Sequence, residues 1–279
     1  MEARYAWVLN LDADLELAHG DGYTPSASVA RNVATFAERL RTSLVSADDL
    51  VVDGSEGAAR GLVGRAFCPT PRAIAILRRA GAEPEPHPSF DVLRRVASRA
   101  LSASLGQTMP KASFATRTDE ARAILRGDPS PGMGWRIKRT YGMAGRFHRV
   151  VSRTPRDEDV AFLASWIAEG GVQIEPNVRI VREYALHGLV TNGAVRLGAL
   201  TEQRTDASGA WTATELAPDA PREFAAAIER EAERAGRALS GAGYFGPFNV
   251  DAFEYDGGFR ARSEVNARYS MGFAIGFGR

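Results

Sequence analysis

Two carboxylates and two amides recur late in the chain at a spacing that suits a divalent cation. In Phe248-Asn249-Val250-Asp251-Ala252-Phe253-Glu254-Tyr255-Asp256-Gly257-Gly258-Phe259-Arg260-Ala261-Arg262-Ser263-Glu264-Val265-Asn266-Ala267-Arg268, two extended runs flank Asp256-Gly257-Gly258. Asp-Gly and Gly-Gly favour the positive-φ turns of a tight hairpin. A two-residue turn at Gly257-Gly258 sets Asp251 opposite Glu264, and one at Asp256-Gly257 sets it opposite Arg262. Strand side chains alternate, so both registers put Asn249, Asp251, Arg262, Glu264, Asn266 and Arg268 on one face. The other face carries Val250, Ala252, Ala261, Ser263, Val265 and Ala267, small enough to pack. Asp, Glu and Asn oxygens are the donors Mg²⁺ prefers, with phosphate oxygens and water completing its octahedron. The plain alternative is an exposed hairpin laced with ion pairs.

A second group of residues suits a polyphosphate. Lys138 ends the apolar run Trp135-Arg136-Ile137 and precedes a loop that holds Gly142, Gly145 and Arg146. Such a loop can lie close over phosphates, its backbone N–H groups donating while Lys138 supplies a point charge. The same pattern also describes an ordinary turn. Further on, Val172-Gln173-Ile174-Glu175-Pro176 reads as an apolar strand ending in an acid, with Val178 and Glu183 just beyond. A strand end can present backbone groups to an adenine edge, and a carboxylate can accept from ribose hydroxyls.

Elements must hold these residues in place. Strands are expected over 5–9 and 50–52, and a helix over 26–44 from the spacing of Val29, Val33, Phe36 and Leu40. Thr70-Pro71 opens a helix, with Thr70 as its cap, that Gly81 ends. Residues 82–88 read as a proline-rich connector, and a helix capped by Ser89 is expected to run to Gly106. Strands then fall at 135–138, 147–151, 172–175, 180–190 and 195–203, with helices at 119–125, from Thr154-Pro155 to Gly170, and at 222–239. The mixed order gives an α/β (α+β) protein in several lobes. The Asp12 and Asp14 pair reads as two acids beside a turn, facing water.

Bulk properties narrow the function. At 279 residues the chain can bury two or three lobes, and 44% apolar with 25% charged residues is ordinary for a globular protein. A formal net charge of +1 recommends neither nucleic acid nor an anionic membrane, so an anionic ligand needs a local site. One cysteine, Cys68, excludes an internal disulfide and suits a reducing compartment. Acids interrupt the first apolar stretch, and no run is long enough to span a membrane, so the expected location is cytoplasmic.

Taken together, Lys138 with its glycine loop, Ile174-Glu175…Glu183, Thr201-Glu202-Gln203 and Asp251…Glu264-Val265-Asn266-Ala267-Arg268 resemble the ATP-grasp superfamily of carboxylate–amine ligases. The resemblance covers residues 90–272. It implies a pre-ATP-grasp lobe at 1–88, a central subdomain at 89–170 with the lysine and glycine loop, and a C-terminal subdomain at 171–279 with hinge and metal site. It implies that Lys138, Gly142, Gly145 and Arg146 bind phosphates, and that Gln173, Glu175, Val178 and Glu183 surround the adenosine. It also implies that Asp251, Glu264 and Asn266 hold Mg²⁺ or Mn²⁺, and that Arg268 steadies the acyl phosphate. Where the family carries a further phosphate-binding lysine, counting back from Gly106 lands on Arg95, whose planar fork is not a compact ammonium. The implied activity is ATP-dependent activation of a small carboxylate for attack by an amine. A kinase on the same scaffold and a nucleotide-binding regulator without turnover are the alternatives. The chain ends soon after Asn266, an edge that a homodimer would cover.

Overall fold

The computed structural model describes residues 4–142, 148–205 and 211–278. The first lobe is a parallel sheet with helices. Strand β1 (Tyr5–Val8) leads to α1 (Ala13–His19) and the long α2 (Ala27–Leu44), then β2 (Leu50–Val51), β3 (Val63–Ala66), α3 (Pro71–Arg79) and β4 (Glu83–Pro84). Their order in the sheet is β2-β1-β3-β4. Residues 82–88 are therefore not a bare connector, because Glu83 and Pro84 pair with Val63 and Gly64 as an edge strand. Ser26 caps α2 by accepting from Val29 N–H. Thr70 does not cap α3. Its hydroxyl donates to Glu16 Oε2 at 2.7 Å, and Glu16 Oε1 takes the free Arg72 N–H of the first turn at 2.9 Å.

That contact overturns the expectation for the first acids. Asp12, Asp14 and Glu16 are all buried, because α1 turns them inward to Arg72 and Arg268. A buried carboxylate costs several kcal/mol unless paired, on the order of the desolvation of one ion, and each here has a guanidinium within reach.

The helix expected from Ser89 to Gly106 is two helices. Ser89 starts α4 (Phe90–Ala97), Ser98 takes an extended ψ of 134° and breaks it, and the Ser98 hydroxyl caps α5 (Arg99–Ser104) by accepting from Ala100 N–H. The central lobe follows: β5 (Ser113–Ala115), α6 (Thr118–Leu125), β6 (Gly134–Arg139), β7 (His148–Ser152), α7 (Leu163–Ala168) and β8 (Val172–Pro176), in antiparallel order β5-β8-β6-β7. No helix starts at Thr154-Pro155. Arg156 and Asp159 cap a short 3-10 turn instead, and the α-helix begins only at Leu163. Strand β8 pairs with β5 and β6, so the change of sheet falls between Pro176 and Ile180.

The last sheet is antiparallel, with order β11-β10-β9-β12-β13. It comprises β9 (Ile180–Thr191), β10 (Ala194–Thr205), β11 (Trp211–Leu216), β12 (Gly246–Tyr255) and β13 (Gly258–Asn266). Helix α8 (Arg222–Gly241) covers one face, and the short α9 (Phe273–Gly276) follows β13. Tyr184, Leu186, Phe248 and Val250 pack under Ile228 and Leu239 of α8. Two glycines make room for the Phe248 ring: a Cβ on Gly188 would stand 2.5 Å from it and one on Gly236 3.1 Å. Burying such a ring is worth about 1.5–3 kcal/mol, which fastens β12 to its helix. No helix among the described residues is long and apolar enough to cross a membrane.

Candidate active site

The central sheet and the last sheet face each other across a cleft of about 540 Å³, and α2 and Phe67 of the first lobe close one end. Alternation on β6 decides which side chains reach it. Trp135 and Ile137 go to the core under α6 and α7, so Arg136 and Lys138 take the opposite face and line the cleft. On β8 the same rule buries Val172 and Ile174 and turns Gln173 and Glu175 toward Lys138 and Arg136, their register partners.

Glu175 is the centre of this wall. Its Oε1 lies 2.7 Å from Lys138 Nζ, and its Oε2 lies 2.5 Å from Arg260 Nη1 and accepts from Gln173 Nε2 at 3.1 Å. Burial raises the Glu175 carboxyl, but Arg260 and Lys138 outweigh it and hold the group at about 2. Glu175 therefore orients Lys138, and Gln173 supports Glu175 from behind without lining the cleft. Burial, with Arg260 and Arg99 nearby, depresses the Lys138 ammonium against the pull of Glu175. Lys138, Arg136 and Arg99 line this side of the cleft against Glu175, and the surplus of positive charge suits an anion.

Arg95 is not part of it. That residue is exposed on α4 and does not line the cleft. The break at Ser98 turns the next arginine inward. Arg99 is 8% exposed and donates to Arg139 O at 2.5 Å and Glu264 Oε1 at 2.7 Å. The buried Arg99 Nε has no partner. Gly142 lies against the same side chain: a Cβ there would sit 2.7 Å from Arg99 Nη2, so the guanidinium would have to shift. Gly145, Arg146 and the start of the strand expected at 147 lie outside the described residues.

The opposite wall is the hairpin, and both registers read from the sequence occur in it. The turn is Asp256-Gly257, with Tyr255 opposite Gly258 and Phe253 opposite Arg260, yet Asp251 lies opposite Glu264. A bulge in β13 supplies the extra residues. It also disturbs the alternation, so Arg262 leaves the shared face. Arg262 instead binds Glu231 of α8 and the Ser102 and Gly106 carbonyls at the end of α5. Asn249, Asp251, Glu264, Asn266 and Arg268 stay on the cleft side.

Asp251 is held by amides alone. Its Oδ1 accepts from Gln203 at 3.0 Å and Asn249 at 2.6 Å, and its Oδ2 accepts from Asn266 at 2.9 Å. Burial, then Glu264 and Glu183, push this carboxyl up to about 7. Among the described residues it has no ion-pair partner, and neither does Glu183, which also lines the cleft and which burial raises. Glu264 is held low by Arg99, Lys138 and Arg268 in spite of its burial. Asn249 Oδ1 is a buried acceptor without a donor.

Those features fit a cation at Asp251, Glu264 and Asn266, once the Asn266 amide is turned to offer its oxygen. No group of three or more His, Cys, Asp and Glu among the described residues is placed to hold a metal ion. Two carboxylates and an amide are too few for an all-protein cage, and their oxygens suit an ion that takes most of its shell from phosphate and water, as Mg²⁺ does. Arg268 completes the wall, donating to Asp14 Oδ2 at 2.8 Å and lying 5.3 Å over the Phe67 ring. His187 is buried, with Nδ1 2.9 Å from Ser270 Oγ and Nε2 3.2 Å from Thr201 Oγ1; burial lowers it to about 4, so it is neutral.

Solved structures share this arrangement of sheets over nearly the whole chain. N5-carboxyaminoimidazole synthetase from Staphylococcus aureus complexed with ADP superposes with a TM-score of 0.54 and 12% identity, covering 98% of this chain and 72% of that one. D-alanyl-alanine synthetase A from Vibrio cholerae gives 0.54 and 14%, covering 100% and 92%. N5-carboxyaminoimidazole ribonucleotide synthetase from Thermus thermophilus gives 0.54 and 18%, covering 95% and 71%. The chain has the ATP-grasp fold. No family model and no curated protein matches it by sequence. The cleft between the sheets of β6 and β12 is lined by Lys138, Glu183, Asp251, Glu264 and Arg268. Sequence reasoning missed Arg99, Arg260 and Asp14. Ser98, a capping residue type inside an apparent helix, was the available signal for Arg99. The other two lie far in sequence from the groups they bind.

Proposed function

We propose that the protein is an ATP- and Mg²⁺-dependent ligase that activates a small carboxylate as an acyl phosphate and joins it to an amine. The observation that carries this reading is the polarity of the cleft. A cation-rich wall at Lys138 and Arg99 faces an oxygen-donor wall where Asp251 lacks any cation of its own. A bound nucleotide triphosphate with its metal would satisfy both. Solved structures of the same fold that are complexed with ADP or ATP support the nucleotide, and the names of such proteins as synthetases or synthases support a bond-forming reaction.

In this reading the strand end at Pro176 and Val178 borders the adenine, and Glu183 accepts from the ribose. Lys138, fixed by Glu175, meets the phosphates, and Gly142, Gly145 and Arg146 add backbone donors and charge to that contact. Asp251, Glu264 and Asn266 would hold Mg²⁺, whose charge would offset that of the transferring phosphoryl group. A carboxylate oxygen attacks the γ-phosphorus, the bond to the β-phosphate oxygen breaks, and ADP leaves. An amine nitrogen then attacks the acyl carbon, phosphate leaves, and the amine gives up a proton. Arg268 faces the substrate carboxylate and, as the amine adds, the charge that develops on the acyl carbonyl oxygen. Such chemistry needs positioning and charge stabilisation more than acid–base groups, which agrees with a buried, neutral His187.

Calorimetric titration of a non-hydrolysable ATP analogue with Mg²⁺ tests this. Wild type should bind with a Kd on the order of micromolar. Lys138→Ala and Glu264→Ala should each weaken binding by about tenfold or more, the loss of one charge-assisted contact. A folded wild-type protein that binds no nucleotide would sink the proposal.

A further inference from the structure

The end of the cleft away from β8 is mainly apolar, with the Asn32 amide of α2 a neutral polar group on its lining. Leu11 and Phe67 of the first lobe, Val33 and Phe36 of α2, and Met271 after β13 belong to one hydrophobic cluster, and all five line the cleft. Leu11 and Phe67 are buried. Val33, Phe36 and Met271 are only partly so, and they carry apolar surface to the cavity. Trp211 faces the same space from β11. Its Nε1–H already donates to Thr214 Oγ1 at 2.8 Å, and Thr214 packs on Gly272, where a Cβ would lie 2.6 Å from its methyl carbon. The indole therefore adds wall, not a free donor.

Charge at this end is spent in pairs. Arg72 holds Asp12 and Glu16, and Tyr23 also donates to Asp12. Asp14 holds one nitrogen of Arg268. Among the described residues no lysine or arginine beyond Arg268 lines this end, so a second negative charge on a substrate would be buried without a partner. Arg268 sits directly over Phe67, which places the one anchor for a carboxylate at the edge of the apolar wall.

We propose that the carboxylate substrate carries a bulky apolar body, an aryl or branched-alkyl group, seated between α2 and the turn after β13. Its head group meets Arg268, and its body lies over Phe67 against Phe36 and Met271. The inference rests on the ligase reading for the position of the carboxylate. It adds the class of acid: monocarboxylic and apolar, with acetate-sized acids and dicarboxylic acids excluded.

The test is calorimetric titration of 3-phenylpropanoate, 4-methylpentanoate, acetate and succinate into protein saturated with Mg²⁺ and the ATP analogue. The first two acids should bind about tenfold or more tighter than the last two, the discrimination an apolar pocket gives for a few methylenes. Phe36→Ala and Met271→Ala should each cut that preference to about threefold or below, since each removes part of the wall. The nucleotide titration on the same proteins shows whether each variant is folded. Equal or undetectable binding of all four acids, tighter binding of succinate, or an undiminished preference in both variants overturns the inference while leaving the ligase reading standing. Failure of wild type to bind the analogue overturns the ligase reading itself.

Discussion

Glu175 was legible in the sequence as a position and not as a role. Its place at the end of an apolar strand marked it for the nucleotide site, but its partner Arg260 lies in another sheet, and no local pattern connects the two. Sharing one carboxylate between Lys138 and Arg260 makes it a stability group as well. Glu175→Gln should destabilise the protein at pH 7 by about 3 kcal/mol or more, because two buried cations lose their counter-charge. The folded carboxyl is held at about 2 against an ordinary value of 4.5. Its contribution is therefore complete above about 4.5 and disappears as pH falls through about 2. Urea unfolding at stepped pH should show the wild-type advantage shrinking across that window. A gap between wild type and variant that stays constant down to pH 2 would mean that packing, not charge, supplies it.

At the scale of elements, the sequence showed the hairpin and hid its bulge. The Asp256-Gly257 turn and the Asp251–Glu264 pairing are incompatible in a regular ladder, and only the extra residues in β13 reconcile them. Hydrophobic alternation cannot reveal that, since Ser263 is small enough for either face. The break between α4 and α5 was hidden in a similar way, because Arg95, Val96, Ala97, Arg99 and Ala100 would all suit a continuous helix. Ser98→Ala tests what the break does. Loss of the cap at Ala100 should cost about 1 kcal/mol of stability. A continuous helix would also swing Arg99 away from Glu264, so the Kd for the ATP analogue should rise several-fold. Stability that falls while affinity stays unchanged would show that Arg99 reaches Glu264 without the break.

At the scale of the molecule, the mixed α/β class was readable from the order of elements, and the junctions between the sheets were not. Asp14 looked like a solvated acid because nothing near it in sequence carries the guanidinium it binds. Arg268 arrives from the far end of the chain and crosses from the hairpin to α1. Asp14 is buried and Arg268 mostly so, and Asp14 raises the Arg268 guanidinium in spite of desolvation. The pair ties the first lobe to the hairpin wall of the cleft, which Arg268 lines. Asp14→Asn keeps the volume and removes the charge, so Arg268 would be left buried with a neutral partner. Hydrogen exchange should then speed up both in α1 and in the backbone around Arg268, since an opening on either side now exposes the same unpaired cation. The acid substrate should bind differently too: an unpaired Arg268 attracts the carboxylate more strongly but holds it less directionally, so its Kd falls or stays level while the rate of acyl-phosphate formation drops. Exchange that rises in α1 alone, with the rate unchanged, would mean that the pair fastens the first lobe and has no part in aiming Arg268.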